Sequence, residues 1–266
     1  MFRSLSDRAS ALVFIALVLA IAAATATIAG GLLLALSPLL VTALMMLVVT
    51  RDGYRKEGWR RLGLTRAGLR WWPAALIATA GVSTLAAVAT LALGVSHATA
   101  PTATSWQDLL SLCMTGPILA FAEEIGWRGY LQPRLQSGMG EARAFLVVGI
   151  VWVAWHLIYI LLTPFYHAEG NRWIVLPLFS ATVISFSFLF GLLRSRSGSV
   201  WPVVLAHFAH NAAFAWIGSA LIVADDRVVA EEYLAGDTGL LVLVGSVVAA
   251  VAIALARRPA IGDRTR

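Results

Sequence analysis

The chain has 266 residues, of which 59% are hydrophobic and only 13% charged, and its mean hydropathy is +0.81. Soluble domains carry about 25% charged residues, so this composition excludes a water-soluble enzyme, a disordered tail and a fibrous repeat. The single cysteine, Cys113, rules out an internal disulfide and a thiolate zinc cluster.

Eight apolar runs follow in chain order, at about 10–29, 31–50, 73–96, 107–127, 144–162, 174–193, 200–223 and 239–256. Each approaches the roughly 20 residues that cross a bilayer, which predicts an all-α, polytopic transmembrane bundle of about eight spans forming one membrane domain over 1–266. Gly30-Gly31 between the first two runs suits a tight helical hairpin. Arg3 and Arg8 ahead of the first run, with Ala24-Thr25-Ala26 near its end, imitate a signal peptide. The apolar stretch exceeds a usual signal core, and the expectation is a retained first helix. The fourth run holds Pro117 and meets charge at Glu123.

The pI near 10.2 and net charge of +6 raise nucleic acid as a partner until the basic residues are placed. With eight spans, segments 1–9, 51–72, 128–143, 194–199 and 257–266 share one side and hold 18 of the 20 Lys and Arg. Only Arg172 and Arg227 fall on the other side, beside seven carboxylates. The positive-inside rule then puts both termini and the 51–72 loop in the cytoplasm, as expected of a multi-pass protein of a bacterial plasma membrane. The basic excess is topology, the loop lies on anionic headgroups, the bilayer is a partner and nucleic acid is not.

Ionisable groups inside a span cost several kcal/mol unless paired or hydrated, which marks them as functional candidates. The fourth run ends Glu123-Glu124-Ile-Gly-Trp-Arg128, the fifth contains Trp152-Val-Ala-Trp-His156, and the seventh contains His207-Phe-Ala-His210-Asn211. Glu124 and Arg128, four apart, share a helical face as an ion pair; Glu123 is rotated about 100° away. His207 and Asn211 share a face, with His210 at its edge and read as a spectator. Trp152, Trp155 and Trp216 read as packing or pocket walls, and His97 and His167 as solvated loop residues. At about 1.5 Å per residue, His207 and His156 lie roughly 10 and 18 Å inside their spans, which implies a cavity open to the cytoplasm.

No Gly-rich phosphate loop, HExxH or G-x-S-x-G elbow is present, and Cys113 has no basic neighbour to activate it. A carboxylate, imidazoles and a carboxamide around a wet cavity suit hydrolysis by activated water, with polar donors facing an oxyanion. A proton-coupled transporter uses similar groups, but the inverted repeats common in such folds are not visible.

The three motifs, EExxxR at 123–128, an aromatic four residues before His156, and HxxxN at 207–211, resemble in order and separation the CPBP family of intramembrane proteases, which includes the CAAX prenyl endopeptidases and Abi proteins. Trp152 stands where Phe is commoner, and the resemblance covers about 105–220. It implies that Glu123 is the catalytic base, His156 its water-orienting partner, His207 and Asn211 the oxyanion donors, and Glu124 and Arg128 the supporting pair. The substrate it implies is a peptide or protein at the membrane. The family has been described both as metalloproteases and as glutamate proteases, and zinc on Glu123, His156 and His207 is the alternative. Nearby Arg128 and the poor ligand Asn211 favour a metal-free reaction. A non-catalytic immunity or scaffold role is also known in the family.

Overall fold

The computed structural model describes residues 5–256, so the charged ends at 1–4 and 257–266, and the sequence expectations that rest on them, lie outside the described residues. Six continuous helical runs are long and apolar enough to cross a membrane: α1 (Asp7–Thr25), α2 (Ile28–Val49), α3 (Leu69–Ala92), α4 (Ala103–Met139), α5 (Glu141–Leu162) and α6 (Arg172–Ser197). Two further apolar helices complete the bundle, α7 (Trp201–Ala220) and α8 (Leu240–Leu255). α7 has the length to cross, but His207, His210 and Asn211 dilute its apolarity. α8 has only 16 residues.

The outer surface is apolar, as lipid requires: Leu110, Met114 and Ile118 recur every four residues along α4 and are all exposed. Without water to drive helices together, packing and interhelical hydrogen bonds hold the bundle. The Ser185 hydroxyl lies 2.8 Å from that of Ser246, joining α6 to α8, and Trp155 Nε1–H donates to Ser37 Oγ at 3.0 Å, joining α5 to α2. Such bonds contribute about 0.6–2 kcal/mol each.

The hairpin between α1 and α2 forms at Gly30-Gly31, both with positive φ (64° and 84°). α4 departs from the expected span. It does not stop near residue 127 but loosens into a π turn over Ile125–Leu131 and continues to Met139. Gly126 allows this, because a Cβ there would meet Pro38 Cβ at 2.6 Å where α2 crosses. Arg128 is therefore no loop charge: it is fully buried at that turn.

The two ends of the bundle differ. At the basic end, a short helix (Lys56–Arg61) and the following residues close over the α6–α7 turn. Val200 N–H donates to Gly63 O at 3.1 Å, Trp201 Nε1–H to Leu64 O at 3.2 Å, and Ser199 Oγ–H to Arg66 O. At the acidic end, β1 (Ser96–Ala98) pairs antiparallel with β2 (Ile222–Ala224), beside the loop after α5 and a π-helical segment at Val228–Leu234.

Candidate active site

Four helices bring the singled-out residues together around a cavity of about 240 Å³. Glu123 from α4, Trp152 and His156 from α5, and His207, His210 and Asn211 from α7 line it, with Phe179, Phe186 and Phe190 of α6 as its apolar wall. The two adjacent glutamates diverge, as helical rotation requires. Glu124 is fully buried, and its Oε1 accepts from Arg128 Nη1 and from His207 Nδ1, each at 2.9 Å. Glu123 is half-buried, and its Oε2 accepts from Trp152 Nε1–H at 2.9 Å.

The Arg128 guanidinium donates to Glu124 through Nη1, and its Nε and Nη2 have no acceptor among the described residues. Aromatic faces compensate: its guanidinium carbon lies 4.2 Å from the Trp152 ring centre and 5.0 Å from that of Phe190. Trp152 thus packs on Arg128 while its indole N–H donates to Glu123.

Both histidines present a defined nitrogen to the cavity. A backbone carbonyl can only accept, so the 3.0 Å contact of His156 Nδ1 with Trp152 O places the proton on Nδ1 and leaves Nε2 as the free atom. His207 Nδ1–H is held by Glu124, which turns its Nε2 towards Glu123, 4.0 Å from Oε1. Asn211, one helical turn along α7, is exposed to the cavity. His210 leaves this face and hydrogen-bonds through Nδ1 to Ser83 Oγ of α3 at 2.8 Å.

Residues 103–213 match the family described as Rce1-like, type II CAAX prenyl endopeptidase. That stretch of the chain is similar to the CAAX prenyl endopeptidases. The match runs from the start of α4 to just past Asn211 and includes all three polar motifs. It supports, in general, a CAAX-type intramembrane protease and hence a hydrolase. No curated protein matches the chain.

Among the described residues, no three His, Cys, Asp or Glu side chains group closely enough to hold a metal ion. Glu123 is engaged by an indole N–H, and one nitrogen of each histidine is occupied.

The lining of the cavity extends over several turns of the bundle. Towards the basic end Trp127, Arg128 and Leu193 are fully buried, and Arg194 donates to Arg128 O and Arg61 O. Tyr166, Asp237 and Thr238 at the acidic end belong to its wall.

Two roles were not legible in the sequence. Trp152, read as a wall, is also the hydrogen-bond donor to Glu123. His167, read as solvated, is 7% exposed and bridges two carboxylates: its Nδ1 lies 2.5 Å from Glu232 Oε2 and its Nε2 3.5 Å from Asp237 Oδ1. Burial opposes its charge, but the hydrogen bonds to Asp237 and Glu232 and their negative charges outweigh it and raise its pKa to about 9. Burial likewise pushes the Asp237 carboxyl up, and His167 and the Tyr166 hydroxyl overcome this and hold it near 2. Only the fold pairs these residues, 65 and 70 positions apart, so no local spacing signalled them.

Proposed function

We propose that the chain is an intramembrane endopeptidase that hydrolyses a peptide bond with water activated by Glu123. The observation that carries this reading is the single cavity in which Glu123, His156, His207 and Asn211 meet, with Glu123 separated from the buried Glu124–Arg128 pair. Water placed between Glu123 and His156 loses its proton to the carboxylate, while His156 Nε2 accepts its second hydrogen and fixes its lone pair on the scissile carbonyl. The tetrahedral oxyanion is met by the Asn211 amide and by His207. Because His207 already gives Nδ1–H to Glu124, it donates from Nε2 only when it carries both protons, and the neighbouring carboxylates balance that charge. Glu123 then delivers its proton to the leaving amine, and the products are a carboxylate and an amine. Every step uses the chain's own groups.

The test compares peptides released from membranes, and the new C-termini left there, for the parent and Glu123→Gln. Peptides released only by the parent are expected. Identical sets from both, at equal expression, overturn the protease reading and leave a non-catalytic role.

A further inference from the structure

Trp152 touches each part of the polar site. Its indole Nε1–H donates to Glu123 Oε2 at 2.9 Å, and its backbone carbonyl accepts Nδ1–H of His156 at 3.0 Å. The face of its ring lies 4.2 Å from the Arg128 guanidinium carbon, and the ring meets that of His207 edge to face, with 5.6 Å between centres. The side chain is itself held, because the residue is buried and packs against Phe190 with ring centres 6.0 Å apart. Close packing of this kind keeps a side chain in one rotamer, so the indole N–H is aimed before any substrate arrives. Glu123 lines the cavity on a side chain that turns about several bonds, and such a group is ordered only by its partners.

We propose that Trp152 is a positioning residue for the base: its indole N–H holds one carboxylate oxygen of Glu123 and so presents the other, Oε1, to the water. The proposal rests on the protease reading and deepens it. Oε1 is the oxygen on the His207 side, 4.0 Å from Nε2, where the oxyanion donors stand. The ring face serves the same end. Nε and Nη2 of Arg128 have no acceptor among the described residues, and the indole covers this cation while its edge engages the carboxylate. A carboxylate released from the indole has that buried cation as a rival partner, and a base drawn into an ion pair no longer meets the water. Misplacing a reacting group by about 1 Å costs about 10²-fold in rate. The carbonyl that fixes His156 belongs to the backbone, so the side chain at 152 can be exchanged without disturbing the His156 tautomer.

Two replacements isolate the N–H. Trp152→Phe keeps an aromatic face, and 3-benzothienylalanine incorporated at position 152 keeps the whole bicyclic outline with sulfur in place of N–H. The full chain carrying either one, at equal amounts in membranes, should release the parent's peptides about tenfold to a hundredfold more slowly than the parent does. The benzothienyl chain should keep its melting midpoint within about 2 °C of the parent, since its packing is unchanged. The bond itself is read without any substrate, from the indole proton–nitrogen spectrum of the detergent-solubilised chain. The signal that Trp152→Phe removes should move upfield in Glu123→Ala, where the acceptor is gone. Release at the parent's rate by the benzothienyl chain, whatever Trp152→Phe does, assigns Trp152 to packing and overturns the proposal. An indole signal indifferent to Glu123→Ala overturns it as well. Retained peptide release by Glu123→Gln overturns the protease reading while the indole signal still reports the bond, so the two failures are told apart.

Discussion

Replacing Glu124 by Gln keeps the outline of the side chain and removes its charge, leaving Arg128 as an uncompensated cation that is 0% exposed. Breaking a buried ion pair at one partner costs about 3–5 kcal/mol. The Gln oxygen still accepts from Arg128 and His207, which places the expected loss near the lower figure, about 3 kcal/mol. At about 2–4 °C per kcal/mol for a chain of this size, the thermal midpoint in detergent should fall by about 6 °C or more. Glu123→Gln retains the acceptor for Trp152 Nε1–H at a half-buried position, so its midpoint should stay within about 2 °C of the parent while peptide release is lost. Substituting both Glu124→Gln and Arg128→Met removes the orphan charge and should recover most of the midpoint, because apolar replacement of a buried pair is often neutral or stabilising. Turnover should stay low in that variant, since His207 Nδ1 no longer faces a carboxylate. Equal melting of Glu124→Gln and the parent, or an equal drop for Glu123→Gln, refutes this division of roles between the adjacent glutamates.

Asn211→Ala should lower peptide release by about 10²–10³-fold with folding intact, the usual loss of one oxyanion donor. His210→Ala should lower the midpoint through its bond to Ser83 and change the rate far less; the reverse ranking would mean that the two residues exchange faces. Activity should survive exhaustive chelation, and elemental analysis of purified protein should find substoichiometric zinc; stoichiometric zinc, with activity restored by added metal, would hand the site to the zinc alternative. The His167 bridge predicts a pH effect at the acidic end. Its folded pKa of about 9 lies above the ordinary 6.5, so its stabilisation is complete below about pH 6.5 and is lost as pH rises through 9. The difference corresponds to about 3 kcal/mol. The parent's midpoint should therefore fall between these pH values more steeply than that of His167→Gln, and parallel curves would refute the bridge.

The membrane class, the apolar helices and the three polar motifs were legible from residue order alone, because a bilayer imposes length and apolarity on each span separately. Helical rotation also separated Glu123 from Glu124 before any coordinates, since the angle between consecutive residues is a local property. The tertiary structure decided what depends on packing between helices. Gly126 beside Pro38 let α4 run on through a π turn, which carried Arg128 from an apparent loop into the interior. Trp152 became a donor to Glu123 because α5 crosses α4 at that height. Depth along each helix is local, but what folds over a turn is not, and here Leu62 to Arg66 pack on the α6–α7 turn. His167, Glu232 and Asp237 look like solvated loop charges one at a time and form a buried bridge only when two distant loops meet.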